Sequence, residues 1–174
     1  MQALKNRKSE RELSDKKVSL QHLSELLWAA NGVNREDGKR TAPSASNKHP
    51  VDVYVVLQEG VYQYEPVKHQ LLPIVEGDFR KLAGTQDYVY TAPVNLIYVA
   101  DLGKLEDLPK SVSTEEKLKW ACVEAGHQAE NVYLYCASEG LGAAERTLID
   151  KEKLGKVIKL RSEQIVISAQ TIGY

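Results

Sequence analysis

The sequence predicts an α+β fold, a mixed central β-sheet flanked by helices, and three observations carry that expectation. Segments dense in β-branched and aromatic residues recur at 52–57, 60–64, 71–75, 92–101 and 163–172, as half-buried or central strands require. Between them lie two patterns of helical period, one from Ser19 to Gly32 and a longer one from Ser113 to Gly140. A chain of 174 residues with 43% hydrophobic content fits one domain with a full core and not a split into two independently folded units, so residues 1–174 are expected to form a single domain.

Taken in order, Met1 to Asn6 can form a short helix that delivers Arg7-Lys8-Ser9-Glu10-Arg11. An extended backbone would put Arg7, Ser9 and Arg11 on one side, where guanidinium forks and a hydroxyl can grip a phosphate. The interleaved Glu10, Glu12 and Asp15 leave a second reading open, a solvated charge cluster. Ser19 then caps a helix whose Leu20, Leu23, Leu26, Leu27 and Ala30 share one face, and Asn31-Gly32 ends it. Trp28 fits the core or an interface.

A polar stretch from Val33 to Lys39 leads into Arg-Thr-Ala-Pro-Ser-Ala-Ser-Asn-Lys-His-Pro at 40–50. Pro43 and Pro50 restrict the backbone, and the small side chains between them leave amides and hydroxyls open to a flat or anionic ligand. The same composition also suits a plain solvated connection from helix to strand. His49 reads either as a surface residue or as a proton donor. After the strand at 52–57, the segments 60–64 and 71–75 form a hairpin around Pro66 and Lys68 to Gln70, with His69 in the turn. Asp78 can cap a short helix through Leu82 that ends at Gly84, and Gln86-Asp87 fall in a polar loop. Ala92 to Asp101 reads as a central strand.

Ser113-Thr-Glu-Glu116 has the spacing of a capping box. The helix it opens shows Leu118, Ala121, Cys122, Ala125, Ala129, Val132, Tyr133 and Cys136 on one wide apolar face. At about 1.5 Å per residue it would cross the whole domain, and its alanines would let a second helix come close, as at a two-fold interface. The last strand, 163–172, ends in Ile-Gly-Tyr.

A net charge of −1 provides no general field for nucleic acid or an anionic membrane. No apolar run approaches the roughly 18 residues of a bilayer span, and the start lacks a secretory apolar core. The chain is expected in the cytoplasm. Cys122 and Cys136 fit small buried residues of a reduced protein. His127 and Glu130 lack a third ligand at a suitable spacing, so no metal is assigned.

Several of these phrases, met in this order, resemble the nitroreductase family. They are the basic opening Arg7-Lys8-Ser9-x-Arg11, Leu-Leu-Trp-Ala-Ala-Asn-Gly before the loop, and Pro43-Ser44-x-x-Asn47-x-x-Pro50. Ala-Gly-x-x-x-x-Asn-x-x-Leu at 125–134, the following Gly140-Leu-Gly-Ala143 and the Ile-Gly-Tyr ending complete the set. Arg-Thr-Ala-Pro-Ser-Ala and the Gly60-Val-Tyr-Gln-Tyr hairpin are similar to the azoline-dehydrogenase branch. The resemblance implies FMN, with Arg7, Lys8, Ser9 and Arg11 on its phosphate and ribityl chain. It implies a homodimer in which Pro43, Ser44, Ala45 and Asn47 approach the flavin from the other subunit, with Gln86 at its polar edge and Arg146, Thr147 and Leu148 beside the ring. Leu13 stands where relatives often carry an aromatic, and Lys48 and His49 depart from the frequent choices. The implied reaction passes hydride from NAD(P)H through the flavin to a nitroaromatic, quinone or similar acceptor. Dehydrogenation of a peptide heterocycle and non-catalytic flavin binding are the alternatives.

Overall fold

The computed structural model describes residues 1–174. Its helices are α1 (Gln2–Asn6), α2 (Leu20–Asn31), α3 (Asp87–Thr91), α4 (Thr114–Glu139) and α5 (Lys151–Val157). Its strands are β1 (Val51–Val56), β2 (Gly60–Glu65), β3 (Gln70–Glu76), β4 (Val94–Asp101), β5 (Gly142–Arg146) and β6 (Gln164–Gly173). They form one sheet in the order β3-β2-β1-β4-β6-β5.

Every pairing in that sheet is antiparallel, which corrects the expectation of a mixed sheet. The reason lies in the last strand. β4 and β5 run the same way with α4 as their crossover, the arrangement that ordinarily yields a parallel pair. β6 enters between them and runs against both, so no parallel neighbours remain.

The sheet separates two cores. Val51, Val53 and Val55 of β1 join Leu96 and Tyr98 under α2 and α4, whereas Tyr54 and Val56 point the opposite way with Ile97 and Val99, as the two-residue period of a strand dictates. The second core is closed by Val89 of α3, Leu154 of α5 and Ala83. β4 is buried at every position, so it is the central strand.

The long helix forms as its sequence requires. Ser113 accepts from Glu116 N while the Glu116 side chain accepts from Ser113 N, a complete capping box, and Gly140 ends the helix at φ 72°. Its alanines Ala121, Ala125 and Ala129 face the sheet and α2, not solvent, so the close approach they permit is used inside the chain. The outward strip carries Cys122, Val123, Gly126, His127 and Glu130. Cys136 is buried as expected, and Cys122 is exposed. Asp78 accepts from the Arg80 backbone and guanidinium, but the segment that follows is one tight turn, Arg80–Leu82, whose N-cap is Phe79 and not Asp78. Gln86 stands in the turn as the N-cap of α3, whereas Asp87, expected in the same loop, is the first residue of the helix. No helix is long and apolar enough to cross a membrane.

Candidate functional site

The basic opening lies along the end of the sheet at β5. Glu10 N donates to Ala143 O at 2.8 Å and Ser14 N to Tyr174 O at 2.7 Å, so residues 10–14 run across β5 and the end of β6. Glycine at 142 makes this approach possible, because a Cβ there would stand 2.6 Å from Leu13 Cδ2 and 2.9 Å from Glu10 Cγ. Beside them, the Arg7 guanidinium sits 5.5 Å from the Tyr133 ring centre, and the Ser9 and Tyr133 hydroxyls are 3.2 Å apart. Tyr133 also accepts from Glu145 N at 2.6 Å. Lys8 pairs with Glu10 at 2.7 Å, which partly supports the reading of a charge cluster, while Arg11 remains exposed with no acid bound to its guanidinium. A cavity of about 350 Å³ opens between Lys8, Glu10, Tyr133 and Gly142.

The proline-bounded loop is rigid and strained. Ser46, Asn47 and His49 all take left-handed backbone angles, φ 52°, 55° and 49°, an uncommon region for side-chain-bearing residues that asparagine and histidine enter more readily than serine. Two contacts hold them: His49 N donates to Ser44 Oγ at 2.8 Å, and His49 Nε2 meets Asn47 Oδ1 at 3.0 Å. His49 is only 8% exposed, so it is neither surface residue nor free proton donor, while Pro43 and Asn47 are open to solvent. Lys48 instead reaches out to Asp107.

Beneath the loop sits Glu124 of α4, 2% exposed. Its Oε1 accepts from Val51 N at 3.4 Å and from Gln128 Nε2 at 3.3 Å. Burial raises its carboxyl above the ordinary range, while bonding to Ser44 and Val51 N and the charges of Arg40 and Lys104 pull the other way. Glu124 therefore holds the start of β1 from below, with Ser44 on the same cleft. Burial and the cations Arg40 and Lys104 push the His49 imidazole down to about 4. Pro43, Ser44 and Ala45 face Trp120, Val123 and His127 of α4 across a cleft of about 180 Å³.

The remaining expected residues gather around the start of α3. Gln86 Oε1 is buried without a partner, an acceptor available to a ligand N–H. The Arg146 side chain is turned inward. Its Nη2 donates to Ala83 O at 2.8 Å and Asn95 Oδ1 at 3.0 Å, and its Nη1 to Thr171 Oγ1 at 2.5 Å. Burial lowers its guanidinium to about 10. Thr147 and Leu148 are exposed just beyond it.

Within one chain these residues form separate groups. Tyr133 and Glu124 stand nine positions apart on α4, about 14 Å along its axis, so the basic opening and the proline-bounded loop occupy different stretches of that helix. The donor set fits a phosphorylated flavin: exposed guanidinium and hydroxyl groups at 7–11, an open carboxamide at Asn47 and an unpaired acceptor at Gln86. Sequence reasoning missed Tyr133 and Glu124 as members of these groups. Tyr133 was counted only with the apolar face of its helix, and a lone glutamate amid a helical pattern gives no signal of its burial.

The family model described as the nitroreductase family matches residues 4–174. A curated nitroreductase relative from Methanocaldococcus jannaschii is 30% identical over 171 residues, covering 92% of this chain and 84% of its own. A crystal structure of a nitroreductase relative from Ralstonia eutropha superposes with TM-score 0.91 at 42% identity, over 99% of this chain and 81% of that one. A chain of the E. coli microcin synthetase complex shares the fold at TM-score 0.80 and 19% identity, over 100% of this chain and 73% of its own. The chain thus belongs to the nitroreductase family, whose members are in general flavin-dependent oxidoreductases.

Proposed function

We propose that residues 1–174 form one FMN-binding domain, that two copies pair as a homodimer, and that the protein is an NAD(P)H-dependent oxidoreductase acting on nitroaromatic, quinone or similar acceptors. The observation that carries this reading is the basic opening, held open against β5 by Gly142 and Tyr133 with Arg7, Ser9 and Arg11 at its edge. Arg7, Lys8, Ser9 and Arg11 would bind the phosphate and ribityl chain through charge-assisted bonds. Pro43, Ser44, Ala45 and Asn47 would meet the ring from the partner subunit. Gln86 would accept from its polar edge, and backbone near Arg146, Thr147 and Leu148 would lie beside it. When bound, FMN supplies the hydride-accepting and hydride-donating centre, so these residues need only bind, orient and exclude water.

The test is the visible absorption spectrum of the purified protein supplied with FMN, followed by anaerobic titration with NADH and with NADPH. A bound flavin that one nicotinamide bleaches, and a nitro or quinone acceptor restores, is the expected result. Neither binding nor oxidation with any such acceptor would end the proposal.

A second reading, dehydrogenation of a peptide heterocycle, draws on the Arg40 to Ala45 wording, the β2–β3 hairpin and the fold shared with the microcin synthetase chain. Oxidation of an azoline-bearing peptide, with no turnover of nitro or quinone acceptors, would favour it. Tight FMN binding with no reduction by either nicotinamide would favour a flavin-binding protein without catalysis.

A further inference from the structure

We infer that His49 is a positioning residue: from its buried place under the proline-bounded loop, its ring holds the Asn47 carboxamide oxygen and turns the amide N–H₂ outward as a fixed donor. The inference deepens the proposed flavin site. It rests on that reading for the ligand, and on this chain's geometry alone for the contact.

The His49 imidazole is enclosed, with Nε2 at 3.0 Å from Asn47 Oδ1 and Nδ1 buried without any partner. A carboxamide oxygen only accepts, so Nε2 must carry the hydrogen. An Nδ1–H would then be a buried donor with nothing to receive it, which disfavours that tautomer. The neutral Nε2–H tautomer has no such donor. The neighbouring Arg40 and Lys104, the latter donating to His49 O at 3.3 Å, disfavour a second proton on the ring.

Anchoring comes from below. Ser44 Oγ receives His49 N at 2.8 Å, and Ser44 lines the cleft against α4 beside the buried Glu124. The contacts therefore run from Ser44, packed beside α4, through His49 to an exposed carboxamide. Its outer end is the Asn47 N–H₂, which has no protein partner. Because Asn47 also holds a left-handed backbone angle, neither its main chain nor its side chain is free to reorient. Such an amide can donate to a ligand acceptor but cannot offer its oxygen, which narrows the two-way bonding that an unconstrained asparagine would have.

The contact can be read without any flavin. Nitrogen NMR of the imidazole-labelled protein at about pH 7 should show His49 with Nε2 protonated and Nδ1 bare; an Nδ1-protonated ring would overturn the inference. Flavin affinity, followed by fluorescence quenching, gives the second arm. His49→Leu should weaken FMN binding about tenfold, the loss of one oriented hydrogen bond, and His49→Gln, which keeps a donor near the Nε2 position, should restore most of it. Placed on Asn47→Ala, the His49→Leu change should add nothing. Equal losses in both backgrounds would mean that His49 does not act through Asn47. A wild-type protein that takes up no flavin would sink the proposed function, while the imidazole signals would still decide the His49 contact.

Discussion

Arg146 shows how a single side chain can be placed by everything around it. Its guanidinium bridges Ala83 O, Asn95 Oδ1 and Thr171 Oγ1, joining the turn before α3 to β4 and β6. Gly84 makes room for it, since a Cβ there would fall 2.4 Å from its Nε. Arg146→Ala takes the side-chain donor from Ala83 O and leaves Asn95 and Thr171 only their bond to each other, and should cost about 3 kcal/mol in urea unfolding. Arg146→Lys should recover only part, because an ammonium lacks the planar fork. His49 gives a prediction in pH. Its folded value, about 4, lies below the ordinary 6.5, so the unfolded chain binds the proton first and the folded state loses stability as pH falls through that window. Glu124, raised by burial, works in the opposite sense, so the comparison must be made against His49→Gln. Wild type should lose on the order of 2 kcal/mol more than that variant between about pH 7 and pH 4. At this scale the sequence offered candidates where charge or a motif marks a residue, as at Arg7, Ser9 and Asn47. It was silent where burial decides, as at His49, Glu124 and the inward turn of Arg146.

Among the elements, α4 was legible because its ends and its period agree: Ser113 and Glu116 close the box and Gly140 stops the helix. Ser113→Ala should cost about 1 kcal/mol, visible as a fall in Tm of about 2–4 °C for a chain of this size. An unchanged Tm would mean that the first turn frays without consequence for the fold. β5 was not legible, and its composition explains why. Gly142-Ala-Ala-Glu-Arg146 contains no β-branched or aromatic residue, and it is a strand only because β6 supplies a partner from Gly142↔Gly173 to Arg146↔Ala169. α5 carries Gly155 in its middle and is held by Leu154 and Ile158 in the second core, a tertiary cause that local propensity does not contain. The same holds for α3, five residues long. The antiparallel sheet was hidden for a related reason, since alternation reveals which face a residue takes but not which strand stands beside it.

For the whole molecule the question is how one ligand could meet both the basic opening and the proline-bounded loop. In a single chain they lie along different stretches of α4, beside Tyr133 and Glu124 respectively. The outward strip of that helix, with Val123 59% exposed and open space above Gly126, leaves its surface available for pairing about a two-fold axis. If two copies share each site, the basic opening of one subunit completes the loop of the other, and damage should complement. Arg7→Ala with Arg11→Ala removes the phosphate donors, and wild-type affinity for FMN should exceed this variant's most at low salt, where charge attraction is least screened. Asn47→Ala removes the ring contact. Each homodimer then has two defective sites. A mixed dimer, formed by co-refolding the two variants, carries one site with both defects and one with neither. Flavin titration of the mixture should therefore recover high-affinity binding, at one intact site per mixed dimer, that neither parent shows. Sites built within single chains would give no recovery, because each would keep its own defect whatever its neighbour.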